Sequence, residues 1–313
     1  MANLAAIVIA HKHPQQVRKL LAALAGVDIF LHCDRRASKE VLAAMLEGAG
    51  PHVHAVRRVR ATLSSWSLLE AELIALRAAL ERSAAEHVLV LSGSCYPLVS
   101  LDDLHEELAP WRGRSRLELR PLPRPEWSTP RNDDGGLWHF NRKFVTIRGQ
   151  VVRVRDVPLR TVRRTIPVGL RLHASGAWKV YARAHAEALL RLLDERPDLV
   201  AFWRTSLMPS ESAVASMLSS PELVGEIAET TIDDLVWYVD WSPGEDKASS
   251  DPPTWHPRWL TINDFEKLEA ARRAPSRLPG DGGSSDDYRK LFARKFSPID
   301  SQLLALVDEQ LRA

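Results

Sequence analysis

The stretch HVLVLSGSCYPLVSLDDLHEEL, residues 87–108, contains one complete unit of an α/β fold. It opens with an apolar run long enough for a buried strand, and small polar residues then mark the end of that strand. Ser100 follows as a helix N-cap, with Asp102 and Asp103 in the first helical turn, where acids complement the helix dipole. A buried strand followed by a capped helix is typical of a parallel sheet, because parallel strands need a crossover between them.

Earlier strand–helix pairs extend this pattern to the start of the chain. The predicted strands are LAAIVIA, VDIFLHCD and PHVHAVRR, and the predicted helices are PQQVRKLLAALAG, SKEVLAAMLEG and SWSLLEAELIALRAALERS. Regular alternation of strands and helices over residues 1–110 predicts a Rossmann-like, mostly parallel sheet flanked by helices.

The rest of the chain is less regular. Strands are predicted in SRLELRPL and FVTIRGQVVRV, helices in AHAEALLRLLDERP, SESAVASMLSS and DSQLLALVDEQLR, and a flexible loop in APSRLPGDGGSSDD. We interpret residues 1–313 as one domain with two halves, 1–110 and 111–313.

Composition excludes some classes of partner. Lys and Arg number 42 and Asp and Glu 40, so the net charge of +2 does not predict a nucleic-acid-binding protein. Cys33 and Cys95 are too few for a disulfide scaffold and are compatible with a reducing compartment. The apolar start LAAIVIA is too short for a signal peptide or a membrane span. We therefore expect a soluble, cytoplasmic protein without a transmembrane segment.

Residues 142–171 are locally basic, with five arginines close together: Arg153, Arg155, Arg160, Arg163 and Arg164. Such a run is usually a solvated face. The alternative is a surface that attracts an anionic substrate or a membrane.

Ligands of open parallel sheets bind at the carboxyl ends of the strands. The first strand ends in His11 and Lys12, and the second ends in Asp34, the position that contacts ribose hydroxyls in dinucleotide-binding sheets. No glycine fingerprint follows the first strand, so a nucleotide is expected but a redox dinucleotide is not. The chain contains no Asp-x-Asp, and the histidine pairs at 11/13 and 52/54 have no acid or cysteine beside them that would favour a metal.

Two further motifs carry charge in unusual settings. In LFARKFSP, Phe292 and Phe296 are four apart, which on a helical turn would place them on one apolar face and hold the intervening Arg294 and Lys295 firmly. In MPSESAVASML, Glu211 lies at a predicted helix start. An acid that complements the helix dipole is one interpretation of Glu211, and a catalytic acid or base is the other.

Taken in order, several stretches resemble the core-2/I-branching N-acetylglucosaminyltransferases and protein xylosyltransferases, glycosyltransferase family 14. The resemblance covers almost the whole chain and is weak only from about residue 121 to 170. The stretches that carry it are IVIAHKHPQQVRKLLAAL, IFLHCDRRASKEVLAAM, SSWSLLEAELIALRAAL, VLVLSGSCYPLVSLDDL, ASGAWKVYARAHAEALL, MPSESAVASML, HPRWLTINDFEKL and LFARKFSPIDSQLLALVDEQLR. We expect a bacterial, soluble member of the family.

The resemblance implies a GT-A type fold and an inverting transfer without a metal or other cofactor. It also implies that 1–110 is a nucleotide-binding half and 111–313 an acceptor-binding and catalytic half. Glu211 matches the family's catalytic base, and Arg258 and Lys295 match the cations that neutralise the leaving diphosphate. His11, Lys12 and Asp34 match nucleotide-binding positions. Glu118 and Trp241 align with acceptor-binding residues, although for Trp241 a core tryptophan is an equally good interpretation.

Two residues depart from the family pattern. Ser210 replaces the Asp of its Pro-Asp-Glu motif, and Cys95 replaces the Asp of its Gly-x-Asp-[Phe/Tyr]-Pro motif. The resemblance implies a UDP-sugar donor, with N-acetylglucosamine favoured over xylose, and a hydroxyl of a glycan or other acceptor. The alternatives are a transferase that uses another nucleotide sugar on a small metabolite, and a non-catalytic protein that binds sugar nucleotides or glycans.

Overall fold

The computed structural model describes residues 3–129, 132–155, 157–242, 257–297 and 301–313. The helices are α1 (Pro14–Ala23), α2 (Lys39–Leu46), α3 (Trp66–Arg82), α4 (Leu101–Leu108), α5 (Arg183–Glu195), α6 (Pro197–Arg204), α7 (Ala213–Leu218), α8 (Pro221–Val224), α9 (Phe265–Arg273) and α10 (Ser301–Gln310).

The strands of the first half are β1 (Leu4–Ala10), β2 (Asp28–Cys33), β3 (Val53–Ala55), β4 (His87–Ser92) and β5 (Cys95–Pro97). Those that follow are β6 (Ser115–Leu117), β7 (Arg120–Pro121), β8 (Arg142–Phe144), β9 (Thr146–Ile147), β10 (Gln150–Val151), β11 (Arg153–Val154), β12 (Val157–Pro158), β13 (Arg160–Arg163), β14 (His173–Ala174), β15 (Lys179–Ala182), β16 (Thr231–Asp233), β17 (Trp237–Val239) and β18 (Phe292–Arg294).

Among the described residues, the central sheet has seven strands in the order β16-β6-β15-β4-β1-β2-β3. Strand β15 is antiparallel to both of its neighbours, and the other pairs are parallel. The predicted α/β fold, with a Rossmann-like, mostly parallel sheet flanked by helices, is confirmed. The sheet takes strands from both halves of the chain.

The core lies on the two faces of this sheet. Along β1, Ala6 and Val8 face one apolar cluster while Ala5 and Ile7 face the other, as strand alternation requires. Because β1 is buried on both faces, its sequence is a continuous apolar run.

A second, three-stranded sheet pairs strands that are far apart in the sequence, in the order β17-β18-β5. The predicted helical turn across Phe292 and Phe296 is wrong, because residues 292–294 form the central strand of this sheet. Both phenylalanines are nonetheless fully buried. Phe292 stacks on Trp237 with 5.1 Å between ring centroids, and Phe296 packs edge-on against Tyr96. Pairing with β5 and β17 stabilises an extended backbone here, which the four-residue spacing did not indicate.

Two other predictions changed in detail. FVTIRGQVVRV forms several short hairpin strands instead of one long strand, and SESAVASMLSS begins with a 3-10 turn, Pro209–Glu211, before α7. None of the described helices is long and apolar enough to cross a membrane.

Candidate active site

The candidate site lies at the edge of the sheet where the parallel strands end. Asp34 follows β2, the polar loop at 92–94 follows β4, and Glu118 follows β6. Because β15 runs in the opposite direction, its first residue Lys179 and the preceding Trp178 lie at this same edge. One reversed strand thus adds an aromatic ring and a lysine to the loops that end the other strands.

Glu211 lies on the 3-10 turn that precedes α7. Met208, just before the turn, has a left-handed backbone with φ of 51°, which is unusual for a residue that carries a Cβ. The backbone carbonyl of Glu211 accepts a hydrogen bond of 2.8 Å from the amide of Ser175, which lies shortly before β15. The turn is thereby attached to the site edge of the sheet.

The Glu211 carboxyl has the electrostatics of a general base. Burial raises the pKa of Glu211 to about 7, an effect that the Arg294 charge opposes and the Glu118 carboxyl reinforces. A carboxylate with a pKa near neutrality accepts a proton more readily than an ordinary surface glutamate, and it is still substantially ionised at pH 7.

Arg294 supplies a fixed positive charge beside Glu211. Its guanidinium carbon lies 3.7 Å from the centroid of the Trp178 ring, and its backbone pairs with Cys95 of β5. Only 9% of Arg294 is exposed, and among the described residues its Nε has no hydrogen-bond partner. Burial lowers the pKa of Arg294, but a guanidinium stays charged in proteins.

Glu118 places a second carboxyl in the same pocket. Burial raises the pKa of Glu118, and Arg120, which donates a hydrogen bond to this carboxylate, opposes the rise. A Cβ at Gly176 would lie 3.4 Å from a carboxylate oxygen of Glu118, so the glycine allows a close approach here. Burial thus raises the pKa of both carboxyls, and the Glu118 charge raises the pKa of Glu211 further.

A buried ion pair supports the pocket. Lys179 Nζ donates to both carboxylate oxygens of Glu72 at 3.1 Å, and the Tyr181 hydroxyl donates to Oε1 of Glu72 at 2.5 Å. Lys179 and Glu72 have side chains that are 1% and 3% exposed. The Lys179 charge also lowers the pKa of Glu211 slightly, although burial dominates.

Lys295 follows Arg294 and belongs to a separate cluster. Its ammonium nitrogen lies 3.9 Å from the centroid of the Trp259 ring, and the edge of His13 faces that ring at 6.2 Å. Burial and the charges of Lys12 and Lys295 lower the pKa of His13. The Lys295 carbonyl accepts from Leu260 N at 2.8 Å. Lys295 is thus fixed beside the end of β1.

Asp34 lies at the carboxyl end of β2, at the same edge of the central sheet. Its carboxylate accepts from Arg36 Nη2 at 2.7 Å and from the Ala61 amide at 3.1 Å. Burial alone would raise the pKa of Asp34, but these hydrogen bonds outweigh it and lower the pKa. Desolvation and the adjacent Lys12 lower the pKa of His11, which also senses the Asp34 charge. His11, Lys12 and Asp34 therefore lie at adjacent strand ends.

Arg258 is held by two carboxylates. Its guanidinium donates to Asp240, at 2.6 Å from Nη2, and to Asp264, at 2.8 Å from Nη1. These hydrogen bonds, that of Asp264 first, raise the pKa of Arg258. Asp264 also caps the turn at Thr261. To bind a diphosphate, Arg258 would have to exchange at least one carboxylate for phosphate oxygens.

Trp241 is 58% exposed and lies at the border of the undescribed residues 243–256. The alternative that it is a core tryptophan is therefore wrong, and its role in acceptor binding stays a prediction.

The two family departures lie inside the structure. Cys95 is fully buried, and its Sγ accepts from the Ser92 amide at 3.4 Å. Ser210 is 2% exposed, and its hydroxyl has no hydrogen-bond partner within the described ranges. Both positions lack the carboxylate that the family motif places there.

Four residues of the candidate site were not identified from the sequence, namely Glu72, Trp178, Lys179 and Trp259. Glu72 and Lys179 are 107 positions apart, so no local pattern connects them. The one local signal was the Trp-Lys pair that opens the short strand KVYA.

Within the described ranges, no group of three or more His, Cys, Asp or Glu side chains could hold a metal ion. Two cations at this edge lie on aromatic rings, Arg294 on Trp178 and Lys295 on Trp259.

The carboxyl edge of the sheet thus carries a buried carboxylate, Glu211, and two cations that lie on aromatic rings. A family model described as "Core-2/I-Branching enzyme" matches residues 7–269. The chain therefore belongs to the core-2/I-branching enzyme family, a family of glycosyltransferases, and the resemblance seen in the sequence is confirmed.

A curated relative adds detail. The chain is 24% identical over 230 residues to the beta-glucuronosyltransferase GlcAT14B of Arabidopsis thaliana, which aligns 71% of this chain with 43% of that protein. The chain thus spans less than half the length of this relative.

Solved structures give only distant matches. A Bacillus anthracis protein described as a glucose-1-phosphate thymidylyltransferase matches 60% of this chain and 75% of its own, with 11% identity and a TM-score of 0.30. The bifunctional IspDF of Campylobacter jejuni matches 62% of this chain and 43% of its own, with 10% identity and a TM-score of 0.27. At these TM-scores the likeness adds nothing to the assignment, which rests on the family match.

Proposed function

We propose that the protein is an inverting, metal-independent glycosyltransferase that moves a sugar from a UDP-sugar to an acceptor hydroxyl. The observation that carries the proposal is the pocket of Glu211. Its carboxyl has a pKa raised to about 7, and it lies beside a buried arginine at the edge where sheets of this type bind nucleotides.

In the proposed reaction, the acceptor oxygen attacks the anomeric carbon of the donor from the face opposite the diphosphate. Glu211 takes the proton of the acceptor hydroxyl as the new glycosidic bond forms. The bond to the diphosphate breaks at the same time, and UDP leaves with the electron pair. One displacement inverts the anomeric configuration, so a single carboxylate base suffices.

The leaving diphosphate gains negative charge that fixed cations can stabilise. Lys295 and Arg258 are the proposed diphosphate-binding residues, and Arg294 joins them because it is adjacent to Lys295 and electrostatically coupled to Glu211. Among these three, Lys295 and Arg294 are supported by aromatic rings, whereas Arg258 is bound to carboxylates.

The nucleotide is proposed to lie across the ends of β1 and β2, with Asp34 at the ribose or base and His11 and Lys12 beside it. Glu118 and Trp241 are proposed to contact the acceptor. Glu118 is supported by its place in the Glu211 pocket, and Trp241 by its exposure.

The identity of the donor sugar is proposed from the family resemblance and from the name of a relative. The family resemblance favours UDP-N-acetylglucosamine, with UDP-xylose next, and the name of the Arabidopsis relative adds UDP-glucuronate. The acceptor is a glycan or a small molecule that presents a hydroxyl. A transferase for another nucleotide sugar on a small metabolite is the alternative, with the same residues in the same roles.

The test is a panel of UDP, UDP-N-acetylglucosamine, UDP-xylose, UDP-glucuronate and other nucleotide sugars, each added with EDTA in a thermal-unfolding assay. We expect UDP and one UDP-sugar to raise the unfolding temperature, because ligands that bind only the folded state stabilise it. We also expect slow hydrolysis of that donor, in which water is the acceptor and UDP is released. Stabilisation that requires added Mg²⁺ or Mn²⁺ would contradict the metal-independent proposal.

A further inference from the structure

Residues 142–163 form a set of antiparallel hairpins beside the main sheet. Strand β13 pairs with β8, β10 with β9, and β12 with β11, with Val154 opposite Val157 near one tip. Further backbone hydrogen bonds, such as Val145 N to Leu159 O at 3.0 Å, connect the hairpins into one unit, which we call the hairpin unit.

One side of the hairpin unit is attached to the body of the protein. Phe144 and Val151 are buried and form a small apolar cluster with Leu207. The Gly149 carbonyl accepts hydrogen bonds from Ser65 and Ser67, at 2.6 and 3.2 Å. The unit therefore has a defined inner side, and its remaining side chains face outward.

The outward side is unusually apolar. Nine large hydrophobic residues are exposed in the described part of the chain, and five of them lie in the hairpin unit. These five are Ile147, Val154, Val157, Leu159 and Val162, with exposed fractions of 61, 58, 54, 41 and 65%. Single exposed apolar residues need no explanation, but a concentration of this kind marks an interaction surface.

The hairpin unit is also strongly basic. Exposed cations of the hairpin unit are Lys143, Arg148, Arg153, Arg155 and Arg163. By sequence, residues 142–163 hold seven Lys and Arg and one acid, a net charge of +6 in a chain whose total is +2. The rest of the protein is therefore net acidic, and the positive field is concentrated on this unit.

Some arginines of this segment have internal roles. Arg164 donates to the carbonyls of Phe140 and Phe202, and Arg171 pairs with Glu222. The exposed cations of the hairpin unit are a different set from these two arginines.

We propose that the hairpin unit docks the protein on the surface of an anionic lipid bilayer. Valines and leucine at the hairpin tips would enter the boundary between headgroups and acyl chains, while the flanking arginines would contact lipid phosphates. Charge complementarity favours this occupant over a neutral protein surface. The exposed valines favour it over a soluble polyanion, which offers nothing apolar for them to contact.

The hairpin unit adjoins the proposed nucleotide crevice. A cavity of about 460 Å³ separates the two and is lined by Arg36, Arg60, Thr62, Arg148 and Gln150, among others. Arg36 is the residue that binds Asp34. A docked protein would hold this edge of the sheet close to the bilayer, so a membrane-associated acceptor would reach it without leaving the surface.

The test is flotation of the full-length protein with vesicles, and it does not depend on transferase activity. We expect the wild type to bind vesicles of phosphatidylcholine with phosphatidylglycerol at low ionic strength. Binding should fall steeply with added salt, and vesicles of phosphatidylcholine alone should bind much more weakly. The double variant Arg155→Gln/Arg163→Gln should lose about 25-fold in partitioning, since one basic residue near an anionic surface contributes about fivefold.

A second double variant tests the apolar part. Val154→Ser/Val157→Ser should lose about tenfold or more, because each buried methylene contributes to membrane affinity. The matched control is Leu278→Ser/Arg191→Gln, which changes an exposed leucine and an exposed arginine outside the hairpin unit and should bind as the wild type does. Circular dichroism and UDP binding check that each variant is folded.

Three results would overturn the proposal. The first is wild-type protein that does not float with anionic vesicles, and the second is hairpin variants that float as well as the control. The third is binding to heparin, or dimer formation by light scattering, that the hairpin variants abolish while vesicles remain unbound. None of these results would bear on the proposed transferase, because UDP-sugar binding and turnover are measured without vesicles.

Discussion

At the scale of single residues, the proposed role of Glu211 as base depends on its pKa. Burial raises its pKa to about 7, and two neighbouring charges adjust that value in opposite directions. Arg294 lowers the pKa because it stabilises the carboxylate, and Glu118 raises it because two negative charges repel. With Glu211 as the base, replacing a neighbouring charged residue should shift the pH dependence of the reaction rate.

We expect kcat/KM of the wild type to rise with pH through an apparent pKa of about 7, since the base must be deprotonated to accept a proton. Glu118→Gln removes a negative charge, so the pKa of Glu211 should fall and the acid limb should move to lower pH. Arg294→Met removes a positive charge, so the limb should move to higher pH. Rates of UDP release across the neutral pH range and on both sides of it measure this, and limbs that do not move would show that Glu211 is not the titrating base.

Gly93 illustrates how one residue type permits a close approach. A Cβ at this position would lie 2.9 Å from Val17 Cγ2 and 3.0 Å from Ala10 Cβ. The Gly93 amide also donates to the Ile9 carbonyl at 3.0 Å, so the loop after β4 lies directly against the end of β1. The strand ends that carry His11 and Ser94 are brought together by this contact.

Gly93→Ala should therefore destabilise the fold by about 1–3 kcal/mol, the usual cost of overpacking a tight contact. Chemical denaturation measures the change in the free energy of unfolding. The matched control is Gly282→Ala, where a new Cβ would meet no atom within 4 Å and the backbone is outside the left-handed region. A loss at Gly93 no larger than about 0.5 kcal/mol would mean that Val17 moves aside freely.

At the scale of secondary-structure elements, the reversed strand β15 has the largest influence on the site. It places Lys179 against Glu72 of α3 and holds Trp178 beneath Arg294. Breaking a buried ion pair leaves a charge without compensation, whereas replacing both partners by apolar groups is often tolerated.

Lys179→Met should cost about 3–5 kcal/mol of stability, because it leaves the Glu72 carboxylate buried without its cation. The double variant Lys179→Met/Glu72→Leu should recover much of that loss. Urea denaturation of the single and double variants gives both numbers. If the double variant is as unstable as the single one, the cost comes from lost packing and not from an unpaired charge.

The elements also show what the sequence could and could not predict. Strands β1, β2 and β4 and their helices were predictable, because each follows from apolar runs and caps that lie within a few residues of one another. The antiparallel direction of β15 was not, since four residues of KVYA carry no information on direction. The strand at Phe292 was missed for a related reason, because its conformation depends on pairing with Tyr96 and Cys95, far away in sequence.

The candidate site, too, was predicted only in part from the sequence. Glu211, Asp34, Lys295 and Glu118 were named from motifs, and the structure places them at one edge of the sheet, although their roles remain proposals. The aromatic rings under Arg294 and Lys295 were not named, because the sequence gives no sign that residues 178 and 294, or 259 and 295, would meet.

At the scale of the whole molecule, two surfaces have different proposed roles. The carboxyl edge of the sheet holds the carboxylates and ring-bound cations, and the hairpin unit beside it presents an apolar, positively charged face. The central claim concerns the first of these surfaces, namely that Glu211 is the base of a transfer that fixed cations, and no metal, support.

Lys295→Ala provides the comparison for that claim. Lys295 is proposed to stabilise both the bound diphosphate and the departing one, so its removal should weaken UDP affinity and slow turnover together. Calorimetry with UDP and assays of UDP release, both in EDTA, measure the two effects. Unchanged UDP affinity in a folded Lys295→Ala variant would remove this residue from the diphosphate site.

The most direct measurement is the rate of UDP release from the best UDP-sugar donor, in EDTA, for the wild type and for Glu211→Gln. The amide has the size of the carboxylate but cannot accept the acceptor proton, and general-base help is typically worth about 10²–10⁴-fold in rate. The account predicts a loss of that size with UDP affinity unchanged. Turnover of Glu211→Gln close to that of the wild type would contradict it, and the base would then lie elsewhere.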